Sequence, residues 1–255
     1  MRRPPLRHVG RDRQRGEGPV WFFDLDNTLH NASDRVFGAL NVAMTRYIEQ
    51  HLGVDDAEAN RLRRLYWARY GATLTGLVRH HGVDAAHFLA ETHALPGMER
   101  HLHGHAHDLA ALRRLPGRKF LLTNGPEAYA WRVLRAVGLA QDFEGVIALE
   151  QMRVFGVLRP KPDRRMFRHV LARLDLRPAQ CILVEDSLMH QKAARSLGLH
   201  TVWVQRWLRA SLHGPEAHLP LRRRPAYVDR RVSGLCQLRG RALIHITEKD
   251  GGGFP

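Results

Sequence analysis

The sequence predicts an α/β fold in which a doubly wound parallel sheet carries an inserted domain of four helices. Five short runs predict strands, at residues 20–25, 119–123, 145–148, 181–185 and 201–204, and the first two are expected to be buried. Three helical segments alternate with the later runs, at 127–137, 163–174 and 188–197. Alternation of this kind indicates parallel strands joined by right-handed crossovers. Residues 30–105 interrupt it with four helical segments and no strand, and they are too many for a loop.

The interrupting helices have recognisable ends. The first is expected to be capped by Ser33 or Asp34 and to continue to about Leu52. The other three are expected at 56–70, 72–81 and 84–94. Gly71 and Gly82 separate them, because glycine readily ends a helix. A further helix at about 107–115 leads back to the sheet.

The chain is therefore expected to have four parts, namely a flexible basic leader at 1–18, a sheet domain at 19–30 and 106–205, a helical cap domain at 31–105, and a basic C-terminal extension at 206–255. Within the extension, Ala226–Val228 is a candidate edge strand and Gly251–Pro255 a frayed end.

The composition of the 255 residues restricts the class of protein. With 44% hydrophobic and 25% charged residues, the chain is typical of a globular protein. No run reaches the roughly 18 apolar residues of a membrane helix, and none resembles a signal-peptide core. Cys181 and Cys236 are too few for a disulfide framework or a four-cysteine zinc site. We therefore expect a cytoplasmic protein with no membrane partner.

The formal charge of +15 is concentrated towards the two ends of the chain. Residues 1–18, for example, carry six Arg against Asp12 and Glu17. Because no aromatic residue interleaves the charges of residues 1–18, we interpret the basic ends as solvated tails and do not expect a nucleic-acid partner.

Polar side chains follow three of the predicted strands, where the functional crevice of a parallel sheet lies. They are Asp24 and Asp26 after the first strand, Thr123 and Asn124 after the second, and Glu185 and Asp186 at the end of the fourth. Lys161 stands between two prolines ahead of a helix.

These residue types suit phosphoryl transfer. Asp24 and Asp26 share one direction if the strand continues, and Asp186 adds a third carboxylate nearby. Converging carboxylates repel one another unless a cation lies between them, and oxygen ligands of this kind suit Mg²⁺. Lys161 and Thr123 would stabilise a phosphoryl group. Together they describe transfer through an aspartyl-phosphate.

The order of these elements resembles the four motifs of the haloacid dehalogenase (HAD) superfamily of phosphohydrolases, over about residues 20–205. The helical insertion resembles the cap of that superfamily's first subfamily, on a Rossmann-like core. More closely, Trp21–Leu29 (WFFDLDNTL) and Tyr66–Gly76 (YWARYGATLTG) resemble pyrimidine 5′-nucleotidases.

The resemblance implies a role for each motif residue. Asp24 would be the nucleophile, and Asp26 would protonate the leaving alcohol and then deprotonate water. The phosphoryl oxygens would be bound by Thr123, Asn124 and Lys161. Magnesium would be held by Asp24, the backbone carbonyl of Asp26, and Asp186.

One position departs from the usual pattern of the superfamily, since His190 stands where Asp or Asn normally supports the metal site. Glu185 precedes Asp186 at a position where many members carry Gly or Asp. Both are candidates for metal support, and the sequence leaves open whether Glu185 is a direct ligand. In the cap, Tyr66, Tyr70 and Gly71 are candidates for substrate selection, since a nucleobase stacks on flat rings.

The main functional hypothesis is a magnesium-dependent phosphomonoesterase acting on nucleoside 5′-monophosphates, pyrimidines preferred. The alternative is a phosphatase of another small phosphate ester, such as a sugar phosphate or phosphoglycolate. A third hypothesis is a non-catalytic protein of this kind that binds nucleotide or RNA. The sequence leaves the choice between monomer and homodimer open.

Overall fold

The structure is a computed structural model that describes residues 18–208 and 223–238. The flexibility expected of the leader at 1–18 lies outside the described residues except at Gly18, and the fraying expected at 251–255 lies outside them entirely.

A six-stranded parallel sheet organises the fold. Its strands are β1 (Val20–Phe23), β2 (Arg118–Leu122), β3 (Gly145–Ile147), β6 (Cys181–Glu185), β7 (His200–Val204) and β8 (Arg230–Val232). In the sheet they lie in the order β3-β2-β1-β6-β7-β8. A separate antiparallel pair consists of β4 (Arg153–Val154) and β5 (Val157–Leu158). The predicted doubly wound α/β fold is confirmed.

Eight α-helices accompany the strands in the described residues. They are α1 (Val36–Leu52), α2 (Asp56–Tyr70), α3 (Thr73–His81), α4 (Ala85–His93), α5 (Ala106–Arg113), α6 (Glu127–Ala136), α7 (Arg164–Arg173) and α8 (Leu188–Arg195). Helices α1–α4 lie between β1 and β2, with no described strand among them. The division into core and cap domains stays a prediction.

The strands alternate between two hydrophobic cores, which explains why β1 is apolar throughout. Trp21 and Phe23 join the core on one face of the sheet, whereas Val20 and Phe22 join the other. The second core also contains residues of α1–α4 such as Ile48, so one continuous apolar cluster connects those helices to the sheet.

Two local predictions are wrong. Helix α1 begins at Val36, and neither Ser33 nor Asp34 caps it, because Ser33 instead bonds Asn27 through its hydroxyl and backbone amide. The edge strand is Arg230–Val232 rather than Ala226–Val228.

Hydrogen bonds around Asp229 explain the shift of the edge strand. The Thr201 hydroxyl donates to the carbonyl of Tyr227, and the Asp229 carboxylate accepts from the Thr201 amide. These bonds hold residues 227–229 beside β7, and regular pairing with β7 starts at Arg230.

Within the described ranges, every helix is too short or too polar to cross a bilayer.

Candidate active site

The carboxyl ends of three neighbouring strands build the candidate site. β1 pairs with β2 on one side and β6 on the other, with Phe23 opposite both Leu121 and Val184. The residues that follow these positions, among them Asp24 and Thr123, therefore meet at one edge of the sheet.

Lys161 lies at the centre of this edge and is completely buried. Its Nζ donates to Asp24 Oδ1 at 2.6 Å, to Glu185 Oε2 at 2.7 Å and to the Leu122 carbonyl at 2.8 Å. An ammonium has three N–H donors, so all of them are used. The positive charge of Lys161 offsets part of the negative charge of the two carboxylates that it contacts.

Asn124 and Gly71 fix the backbone around Lys161. The Asn124 side chain donates to the Lys161 carbonyl (3.0 Å) and accepts from its amide (2.9 Å). A Cβ on Gly71, whose φ is +76°, would lie 2.7 Å from Pro162 Cδ. The end of α2 therefore packs directly against the Lys161–Pro162 segment. Direct phosphate binding by Asn124 stays a prediction.

Asp24, Glu185 and Asp186 form an acidic cluster whose ligand oxygens all lie within 4.8 Å of one another. Burial and the charge of Glu185 raise the pKa of Asp24 to about 7, against the opposing effect of Lys161. Burial and the charges of Glu185 and Asp24 raise the pKa of Asp186 well above its usual range. A divalent cation would relieve this repulsion, so the donor set fits Mg²⁺.

Glu185 differs from the other two carboxylates because Lys161 and His190 both lie against it. Burial would raise the pKa of Glu185, but Lys161 and His190 hold it well below the ordinary value. His190 Nδ1 lies 3.0 Å from Glu185 Oε2, and the Ser187 amide donates to Oε1. His190 therefore reaches the acidic cluster through Glu185.

Two hydroxyls line the same edge. Thr28 donates to Asp24 Oδ2 at 3.2 Å, and the Thr123 hydroxyl accepts from the Gly125 amide at 3.0 Å. Both threonines are buried, and these bonds fix the orientation of Asp24 and of the loop after β2.

Asp26 belongs to a hydrogen-bond network separate from that of Lys161, although its charge contributes to the raised pKa of Asp24. Asp26 Oδ1 accepts hydrogen bonds from Tyr129 Oη (2.6 Å) and His30 Nε2 (3.0 Å). Burial alone would raise the pKa of Asp26, but its hydrogen bonds to His30 and Tyr129 lower it. Burial also lowers the pKa of His93 to about 4, so that ring is neutral.

The family model for haloacid dehalogenase-like hydrolases matches residues 20–198. The chain belongs to this family. The match includes every residue described above for the site.

Two curated relatives of this HAD hydrolase carry phosphate-related names. Phosphate metabolism protein 8 of Saccharomyces cerevisiae is 26% identical over 190 residues, which cover 71% of this chain and 59% of that protein. The plasmid phosphoglycolate phosphatase of Cupriavidus necator is 38% identical over 109 residues, covering 43% and 45%. The chain thus spans only about half of these two relatives.

Two further matches cover most of the related protein. Glyceraldehyde 3-phosphate phosphatase of Methanocaldococcus jannaschii is 27% identical over 202 residues, covering 71% of this chain and 82% of that protein. The crystal structure of a HAD phosphatase from Thermococcus onnurineus has a TM-score of 0.57 at 20% identity, covering 89% and 97%. The latter likeness confirms the HAD fold.

The candidate selectivity residues of this HAD hydrolase lie where α2 meets α3. Tyr66 is buried, its ring packs on Gly76, and its hydroxyl shares a hydrogen bond with His81. Tyr70 is half-buried and its hydroxyl bonds His80. These contacts show that both tyrosines pack α2 against α3. Their contribution to substrate selection stays a prediction.

Sequence reasoning missed the residues around Asp26, namely His30, Tyr129 and His93. His30 follows Asp26 by four residues in a turn, and Tyr129 lies 103 residues away on α6. The only local signal for Tyr129 was its place in the helix that follows the Thr123–Gly125 loop.

Arg132, also on α6, holds the end of α4. It donates to the backbone carbonyls of His93, Ala94 and Leu95, and its Nε donates to Glu99 at 2.6 Å. Helix α6 therefore contacts both Asp26 and the last turn of α4.

Proposed function

We propose that this HAD hydrolase is a magnesium-dependent phosphomonoesterase acting on a small phosphate ester of the sugar phosphate or phosphoglycolate class. The proposal is carried by the contact of a buried lysine with a strand-end aspartate, Lys161 with Asp24, inside an acidic cluster. A nucleophile, a cation for phosphoryl oxygens and a metal-binding donor set are thereby combined at one place.

The reaction that this arrangement supports has two steps. The Asp24 carboxylate attacks phosphorus, and the bond from phosphorus to the ester oxygen breaks as Asp26 gives that oxygen a proton. Water then attacks the aspartyl-phosphate while Asp26 takes its proton, and the bond to Asp24 breaks to release phosphate. Lys161 and Thr123 stabilise the phosphoryl oxygens in both steps.

The low pKa of Asp26 suits the second step, which needs a carboxylate. For the first step Asp26 has to gain a proton when an anionic ester binds beside it, since a neighbouring negative charge raises the pKa of a carboxyl group.

Magnesium would be held by Asp24, Asp186 and the backbone carbonyl of Asp26, with Glu185 and His190 as support. When bound, it would neutralise charge on the phosphoryl group. In this proposal Glu185 serves mainly as the anion that keeps Lys161 and His190 in place.

The choice of substrate class follows the relatives. Glyceraldehyde 3-phosphate and phosphoglycolate are named in the matched phosphatases, which favours a small ester over the pyrimidine nucleotide implied by Tyr66–Gly76. The burial of Tyr66 against Gly76 also removes one of the rings proposed to stack on a nucleobase.

A panel of esters tests the proposal. Glyceraldehyde 3-phosphate, phosphoglycolate, ribose 5-phosphate, UMP, AMP and p-nitrophenyl phosphate are assayed with Mg²⁺ and with EDTA. We expect Mg²⁺-dependent release of phosphate, with the highest kcat/KM on a sugar phosphate or phosphoglycolate. A higher kcat/KM for UMP than for all other esters would instead support the pyrimidine nucleotidase, and no hydrolysis of any ester would refute the proposed function.

Asp24→Asn tests the nucleophile. We expect turnover of every ester to fall by at least about 10³-fold, the scale on which loss of a covalent nucleophile acts. Asp34→Asn is the matched control, because Asp34 is exposed on the segment that follows β1. Substantial activity in Asp24→Asn, with Asp34→Asn normal, would contradict the role of Asp24.

A further inference from the structure

The Asp26 carboxylate is held by one of its two oxygens. Tyr129 Oη and His30 Nε2 both reach Oδ1, at 2.6 and 3.0 Å, and the side-chain hydrogen bonds of Asp26 within the described residues all involve this oxygen. The two donors are almost completely buried, at 1% and 0% exposure, whereas the Asp26 side chain is 20% exposed. Buried donors therefore hold Oδ1 of Asp26, while the side chain stays partly exposed.

Tyr129 connects Asp26 to the loop that follows β2. A Cβ on Gly125 would lie 3.1 Å from Tyr129 Cδ1, so the absence of a side chain at Gly125 gives the ring its place. The Gly125 amide in turn donates to Thr123 Oγ1. On another side the ring meets His93 edge to face, with centroids 5.7 Å apart.

His30 approaches the same oxygen from the chain segment of Asp26 itself. The two residues form an isolated β-bridge, which fixes the backbone between them. The His30 ring therefore has a defined position relative to the carboxylate. Two rigid donors on separate segments restrict rotation of the carboxyl group, and restricted rotation of this kind is what holds a proton-transferring group in productive geometry.

We propose that Tyr129 and His30 are positioning residues for Asp26. They bind Oδ1 and so present Oδ2 as the oxygen that gives a proton to the leaving alcohol and later takes one from water. The inference rests on the proposed phosphomonoesterase function. The effect of losing either residue should depend on the leaving group. An alkoxide needs the proton from Asp26 in order to leave, whereas p-nitrophenolate leaves without one.

Tyr129→Phe removes the hydroxyl and keeps the ring on Gly125 and His93. For the alkyl ester of the panel with the highest kcat/KM, we expect this parameter to fall about 10- to 100-fold, part of the 10²–10⁴-fold that general acid–base catalysis supplies. For p-nitrophenyl phosphate we expect kcat/KM to stay within about threefold. Its kcat and KM should fall together, because hydrolysis of the aspartyl-phosphate still needs Asp26 as base.

Tyr47→Phe is the matched control. Tyr47 is also buried and also bonds a histidine, His87 at 2.9 Å, but it lies in the packing of α1 against α4. We expect its kinetics to equal those of the wild type on both esters.

Substitutions of His30 give an independent test that does not depend on the folding of Tyr129→Phe. His30→Leu removes the donor and should show the same leaving-group-dependent loss, whereas His30→Gln keeps an N–H at similar reach and should restore most of kcat/KM. Equal losses on both esters, no loss, or failure of Gln to rescue would overturn the inference. A wild type that hydrolyses no ester would overturn the proposed function instead.

Discussion

Replacing Lys161 by Met removes a buried cation from between two buried carboxylates. The methionine side chain has similar length, so packing is largely kept while the hydrogen bonds to Asp24, Glu185 and the Leu122 carbonyl are lost. Asp24, Glu185 and Asp186 then face one another with their oxygens within 4.8 Å and without that counter-charge.

Removing one partner of a buried ion pair costs about 3–5 kcal/mol. For a domain of this size each kcal/mol lowers the Tm by roughly 2–4 °C, so Lys161→Met should melt roughly 10 °C below the wild type. The pH dependence has a definite sign. Lys161 lowers the pKa values of Asp24 and Glu185 in the folded protein, so its loss raises both.

A carboxyl group whose folded pKa is raised destabilises the protein as pH rises above its unfolded pKa, and not below it. The deficit of Lys161→Met should therefore be larger at pH 8 than at pH 5. In the wild type, Asp24, with a pKa raised to about 7 by burial and Glu185, causes a loss of the same sign between the ordinary carboxyl range and pH 7.

Thermal unfolding followed by circular dichroism in EDTA at the two pH values measures this effect. Lys192→Met is the control, because Lys192 is exposed on α8 and its loss should change stability by less than about 0.5 kcal/mol. If Lys161→Met melted with the control at both pH values, the electrostatic interpretation of this cluster would be refuted.

Two glycines give further predictions for stability. Gly71→Ala places a Cβ 2.7 Å from Pro162 Cδ, whereas the Cβ of Gly82→Ala meets nothing within 4 Å, and the φ values of the two glycines are similar, +76° and +64°. We therefore expect Gly71→Ala to lose more unfolding free energy than Gly82→Ala in urea denaturation. Equal losses in the two variants would contradict this prediction. Gly117→Ala would bring a Cβ to 2.0 Å from the Pro19 carbonyl oxygen at a φ of +86°. A left-handed backbone alone costs a non-glycine residue about 1–2 kcal/mol, and we expect this variant to lose more unfolding free energy than that. A smaller loss in urea denaturation would refute the clash.

The strands and helices could largely be predicted because their signals are local. Val20–Phe23 is a continuous apolar run, and Gly71 and Gly82 end their helices in the left-handed conformation that glycine favours. The pair β4–β5 could not be predicted, since strands of two residues are too short for any periodicity. The predicted cap of α1 was wrong because Ser33 instead bonds Asn27, six residues earlier in the same loop.

The site likewise contains residues that the sequence could reveal and one that it could not. Asp24 and Lys161 could be proposed because each stands beside an apolar strand or a proline pair, although 137 residues separate them. Tyr129 could not, because a tyrosine on a helix is usually a core residue, and only the three-dimensional path of α6 brings its hydroxyl to Asp26. One sequence contains no record of such a pairing.

The hydrogen bonds of Arg132 to the end of α4 mean that substitutions far from the site could change its geometry. Residues 94–99 are remote in sequence from every motif, yet their carbonyls and Glu99 anchor the helix that carries Tyr129. An altered length or conformation in this linker would tilt or translate α6 and so shift the hydroxyl on Asp26, without any contact of its own with the acidic cluster. Under the proposed mechanism, natural variation between residues 94 and 99 would then change the rate of proton transfer by Asp26 from a distance.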